Sequence, residues 1–76
     1  MSNDYKEDQF LDALAKRIAS LRKDKRMTQE DVAEKADIDR VALANIETGK
    51  RRPTVTTVYR ISKALGVHIS DLFSNL

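Results

Sequence analysis

Residues 28–54 read Thr28-Gln29-Glu30-Asp31-Val32-Ala33-Glu34-Lys35-Ala36-Asp37-Ile38-Asp39-Arg40-Val41-Ala42-Leu43-Ala44-Asn45-Ile46-Glu47-Thr48-Gly49-Lys50-Arg51-Arg52-Pro53-Thr54. A hydroxyl that can cap exposed amides stands first, with Asp31 three residues on to complete a capping box. Glu30 and Asp31 also suit the positive end of a helix dipole. Val32, Ala33 and Ala36 give a short helix its inward face. A turn follows at Asp37-Ile38-Asp39, where aspartate tolerates a left-handed backbone and Asp39 can cap the next helix. That helix runs from about Arg40 to Thr48, with Leu43 and Ile46 inward and Gly49 as its stop. Lys50-Arg51-Arg52-Pro53 then forms a basic loop. Two short helices around a tight turn make a helix-turn-helix unit at about residues 29–48.

The pattern extends in both directions as helix. Upstream, Phe10, Leu11, Leu14, Ile18 and Leu21 recur at helical spacing and predict a first helix from about Asp8 to Lys25. Residues 1–7 read as a flexible lead-in, with Tyr5 the one side chain there worth burying. Downstream, Thr54 caps a fourth helix with Val55, Val58, Ile61 and Leu65 inward, ended by Gly66. Ser70 caps a last short helix carrying Leu72, Phe73 and Leu76. Residues 1–76 therefore form a single all-α domain, a five-helix bundle. No long apolar-polar alternation and no Asn-Gly or Asp-Gly hairpin turn suggests a strand.

Composition narrows the function. The chain has 76 residues, no cysteine and one histidine, His68. Disulfides and a clustered zinc site are thereby excluded, and packing alone must hold the fold. His68 reads as a partly exposed packing residue with no chemistry. A core this small invites a partner subunit. The polar first ten residues do not resemble a signal peptide, and no apolar run nears the ~20 residues of a membrane span. The expected place is the cytoplasm of a bacterium or phage-infected cell, at the nucleoid. Net charge is only +2, but it is unevenly spread. Residues 29–39 carry five acids against Lys35, whereas residues 40–63 carry six bases against Glu47. Basic charge gathered in one segment fits phosphates, or else an ordinary solvated surface. No nucleophile-base pair, metal cluster or phosphate-cradling glycine loop supports an enzyme, and no cofactor is implied.

The chain resembles the phage repressor and Cro type of helix-turn-helix proteins, also called Xre-like. The resemblance rests on Met27-Thr28-Gln29-Glu30-Asp31-Val32-Ala33, on Ile46-Glu47-Thr48-Gly49-Lys50-Arg51-Arg52-Pro53-Thr54 and on Ala64-Leu65-Gly66-Val67. It covers roughly Leu14 to Phe73. It implies a regulator that binds double-stranded DNA as a homodimer on a near-palindromic operator, with control through concentration and cooperative occupancy and not through a small-molecule effector. Stand-alone members include restriction-modification controllers and antitoxins besides repressors. A protein-interaction module with the same fold, either of the bridging-coactivator kind or an antitoxin with a toxin as partner, is the alternative.

The resemblance also assigns positions. Arg40, Val41, Ala44 and Asn45 match base-reading positions of the recognition helix. Arginine can grip guanine O6 and N7, and asparagine can read adenine. Arg40 could instead meet a phosphate or an i,i+4 partner, and Asn45 could merely decorate the surface. Val41 and Ala44 can touch a thymine methyl, or serve only as close-approach spacers. Thr28, Gln29, Lys50, Arg51, Arg52 and Thr54 match backbone-binding positions, which set affinity and not sequence preference. Gln29 matches a glutamine that also braces the recognition helix. Asp37 replaces the glycine common in the turn. Arg22 and Glu47 match a structural ion pair that spacing alone does not reveal. Val67, Ile69, Leu72, Phe73 and Leu76 match a dimer face made with the fourth helix, though some of them must close the monomer's own core.

Overall fold

A computed structural model describes residues 4–76, with side chains described from Lys6 onward. Five helices follow in order: α1 (Asp4–Asp24), α2 (Gln29–Ala36), α3 (Arg40–Glu47), α4 (Val55–Leu65) and α5 (Ile69–Leu72). There is no strand among the described residues. The core gathers Leu14 and Ile18 from α1, Val32, Ala33 and Ala36 from α2, and Leu43 and Ile46 from α3. Val58, Ile61 and Leu65 of α4 and Leu72 of α5 complete it. Packing is most extensive between α2 and α4, while α1 lies against α3, α4 and α5. No helix among the described residues is long and apolar enough to cross a membrane.

Three of the helix starts are closed by side chains. Thr28 Oγ1 accepts from the Asp31 amide at 3.0 Å, and the Asp31 carboxylate accepts from the Thr28 amide at 2.9 Å. That amide holds the Asp31 carboxyl below the usual carboxylate range, so the box stays charged at neutral pH. Thr54 Oγ1 accepts from the Thr57 amide at 3.1 Å. The start of α5 differs from the sequence expectation, because its cap is His68 and not Ser70. His68 Nδ1 accepts from the Ser70 amide at 3.2 Å, and Asp71 returns a bond to the His68 amide at 3.1 Å. Imidazole is an uncommon cap, which is why a hydroxyl two residues on drew the assignment. At α3 the backbone of Asp39 has the extended N-cap conformation, but its side chain makes no cap hydrogen bond.

Two apolar residues expected inside lie outside. Phe10 is exposed and stacks on Phe73, with ring centroids 6.1 Å apart. The reason is length: α1 begins at Asp4, not Asp8, and its 21 residues span about 31 Å. The molecule measures only 23 and 20 Å along its two shorter axes, so a helix that long overhangs the body. Val55 is 77% exposed. It sits at the first position of α4, roughly 60° around the helix from Val58. Ser62 takes the buried place on that stripe, its hydroxyl donating to the Tyr59 carbonyl at 2.6 Å. Of the expected lead-in, residues 4–7 are helical, residues 1–3 lie outside the described residues, and so does the side chain of Tyr5.

The turn that aims α3 is closed by Asp37 in the left-handed region, at φ 56° and ψ 48°. Its amide donates to the Glu34 carbonyl at 3.2 Å, and that of Ile38 to the Ala33 carbonyl at 2.9 Å. A β-carbon is strained in that conformation. Asp37→Gly should therefore stabilise the fold by about 0.5–1 kcal/mol, the relief exceeding the added freedom of the unfolded chain. Urea denaturation checks this; a loss of stability would mean the aspartate side chain itself holds the turn.

Candidate nucleic-acid interface

Helix α3 is amphipathic in a way that fixes which side faces out. Leu43, Ile46 and Glu47 are buried, while Val41 on the opposite side is 53% exposed and Arg40, at the first position of the helix, is exposed as well. Ala44 and Asn45 are half-buried at the edge of that side. Among the described residues nothing covers the Arg40–Val41 end, so it is free to approach another molecule.

Two concavities flank this end. One is a shallow depression lined by Thr28, Gln29, Arg22, Arg26 and Arg40. The other is a groove between α3 and the following loop, lined by Asp39, Ala42, Arg51, Arg52 and Thr54. The structure thus places Thr28 and Gln29 beside Arg40, and Arg51, Arg52 and Thr54 on its far side. Lys50 lines neither but is exposed next to them. The loop is fastened to α3 through one atom: the Asn45 carbonyl accepts from the amides of Lys50 at 2.9 Å and Arg51 at 3.2 Å. Arg52 pairs with Asp8 at 3.6 Å, a largely exposed contact of little energetic weight.

The support beneath α3 is ionic. Arg22 Nε donates to Glu47 Oε2 at 2.8 Å and Nη2 to Oε1 at 3.0 Å, while Nη1 donates to the Met27 carbonyl at 2.9 Å. Gln29 Nε2 adds a third bond to Glu47 Oε1, at 3.1 Å. One carboxylate therefore joins α1, the start of α2 and the end of α3. The hydrogen bond to Glu47 raises the already high pKa of the Arg22 guanidinium. The side chains of Arg22 and Glu47 are 12% and 4% exposed. Gln29 spends part of its amide on this pair, and its remaining N–H is still available.

Sequence reasoning missed two residues here. Arg26 lines the depression beside Arg40, and a basic run at Lys23-Asp24-Lys25-Arg26 was the signal for it. Asp39 stands in the groove with its carboxylate uncommitted, where a cap was expected.

In α5, Leu72 is 0% exposed and belongs to the core. It cannot present surface to a second subunit, which corrects its assignment to a dimer face. It is consumed locally because a four-residue helix needs one deep anchor. Val67 and Ile69 are half-buried, and Phe73 and Leu76 are each 40% exposed. Tyr59 and Val55 of α4 add exposed apolar surface nearby in sequence.

Comparison with known proteins gives the family. The family model described as helix-turn-helix matches residues 18–72. The chain is 38% identical over 61 residues to the control protein C.MunI from Mycoplasma sp., covering 79% of this chain and 82% of that one. It is 37% identical over 59 residues to the immunity repressor protein of Bacillus phage phi105, covering 78% of this chain. The aligned part spans only 41% of that repressor's length. Among solved structures, the restriction-modification controller protein C.AhdI from Aeromonas hydrophila superposes with a TM-score of 0.81 at 27% identity, over 83% of this chain and 96% of that one. The wild-type controller protein C.Esp1396I gives 0.80 at 34% identity over 84% of each chain. These relatives are named as controllers and a repressor, and none as an enzyme. From residue 18 to residue 72 this chain belongs to the helix-turn-helix family of DNA-binding transcriptional regulators.

Proposed function

We propose that the protein is a sequence-specific regulator of the controller or repressor kind, which binds a near-palindromic operator as a homodimer. The observation that carries this reading is the uncovered Arg40–Val41 end of α3, set between the Thr28–Gln29 depression and the Arg51–Arg52–Thr54 groove. A helix so placed can enter the major groove with its first turn at the base edges while both flanks meet phosphates. Arg40, Val41, Ala44 and Asn45 are the readers in this scheme. Thr28, Gln29, Lys50, Arg51, Arg52 and Thr54 are the backbone contacts. The exposed apolar residues of α4 with Val67, Ile69, Phe73 and Leu76 supply the two-fold contact, which sets two reading helices about 34 Å apart. The cytoplasm, at the nucleoid, is the place that goes with this role.

Selection of bound duplexes from random DNA tests the reading. An enriched inverted repeat, with half-sites about one helical turn apart, is the expected result. No enrichment of any sequence would overturn it. On the selected site, Arg40→Ala should cost about 1–3 kcal/mol and relax preference at one base pair. Lys50→Ala should weaken all duplexes alike and reduce the salt slope by about one unit. An unchanged slope would remove that lysine from the backbone clamp.

A further inference from the structure

Four helices of this chain begin at a residue with the extended backbone of a cap, and three of those residues spend their side chains on the helix they start. Thr28, Thr54 and His68 each accept an amide of the first turn. Asp39 does not, although its φ of −71° and ψ of 140° match the others and aspartate is among the best capping residues. Nor is its charge matched elsewhere. Among the described residues no cation lies within ion-pair distance of it, even though Arg51 and Arg52 line the same groove. The protein thus holds an exposed, unengaged carboxylate next to Arg40, at the start of the helix assigned to the major groove.

A carboxylate in that position is unfavourable for plain affinity, because it repels phosphates. It is informative toward bases. An ionised carboxylate only accepts hydrogen bonds, and cytosine N4 is the donor in the major groove that it can reach without meeting a neighbouring acceptor on the same base. Adenine sets N7 beside its N6 amino group, guanine offers O6 and N7, and thymine offers O4. The same group therefore rewards one base and penalises the others, which is how discrimination is usually built. Arg40, the next residue, has the opposite preference.

We propose that Asp39 is a specificity-determining residue, whose carboxylate accepts a hydrogen bond from N4 of a cytosine beside the guanine gripped by Arg40. This rests on the reading of α3 as the recognition helix. The test is selection from random duplexes with the wild type, Asp39→Asn and Asp39→Ala, alongside thermal unfolding of each protein without DNA. Asparagine keeps the shape and capping ability of aspartate but favours adenine. The wild-type site should contain a cytosine preferred by about tenfold to a hundredfold, converted from the usual worth of a good base contact. That preference should move toward adenine with Asp39→Asn and vanish with Asp39→Ala, while affinity for random DNA rises in both. Unfolding of Asp39→Ala should be disturbed less than that of Thr28→Ala, which loses a cap bond. Identical selected sites from all three proteins would overturn the proposal. So would an Asp39→Ala protein as destabilised as Thr28→Ala with an unaltered site, since Asp39 would then be a cap. Failure of the wild type to enrich any duplex would be a different outcome, overturning the recognition-helix reading itself and this assignment with it.

Discussion

Glu47→Ala is expected to lose roughly 3–5 kcal/mol of folding stability, the usual cost of breaking a buried ion pair from one side. The carboxylate is almost wholly enclosed and accepts from Arg22 Nε, Arg22 Nη2 and Gln29 Nε2. Its removal leaves a guanidinium that is 12% exposed, with one bond to the Met27 carbonyl and no counter-charge. A chain of 76 residues has only about 4–11 kcal/mol in total, at 0.05–0.15 kcal/mol per residue, so much of the population could unfold. Urea denaturation measures the loss directly. The pair itself is replaceable: Arg22→Met combined with Glu47→Leu should recover most of the stability, because desolvation of two charges offsets much of their attraction. A Glu47→Ala protein within about 1 kcal/mol of wild type would show that α1 and α3 are held by their apolar contacts alone.

Leu72→Ala should cost about 2–5 kcal/mol, the range for deleting a buried leucine side chain. Helix α5 has four residues, too few to persist without tertiary anchorage. Leu72 is that anchor, helped by the Arg17 side chain donating to the Asp71 carbonyl at 3.0 Å. Leu76→Ala is the contrasting variant, since that side chain is exposed in the single chain. The effect of Leu72→Ala should be independent of protein concentration, whereas loss at a subunit contact grows on dilution. Denaturation at two protein concentrations distinguishes the two. A concentration-dependent Leu72 effect would place that residue at a subunit contact after all.

The two leucines also mark where the sequence stops being informative. Both stand in one short apolar tail, and nothing in their spacing says which one meets α1 and α4. Helical periodicity places Phe10 and Val55 on the right faces of α1 and α4, but not the point at which a neighbouring helix ends. Both therefore look buried in the sequence and lie exposed in the structure. Capping chemistry was more legible where it is conventional. Thr28 with Asp31 and Thr54 cap where their side chains predict, and Gly66 ends α4 in the left-handed backbone that glycine permits. His68 was missed because imidazole is a rare cap, and Asp39 because a capable side chain need not be used as one. Glu47 is the hardest case. A glutamate amid a polar stretch reads as solvated, and its burial depends on an arginine 25 residues away. Only a family resemblance, not periodicity, could suggest that pair.

The Asn45 carbonyl holds the first two amides of the basic loop. Loop and helix are consequently one piece, and the span between them is set before any duplex arrives. Such a piece works as a caliper. Under the proposed reading, a duplex must offer the matching groove width or bend until it does, and that bending energy depends on base steps the protein never touches. Flexible pyrimidine–purine steps within a bound site should then strengthen binding, and stiff A-tracts in the same place should weaken it.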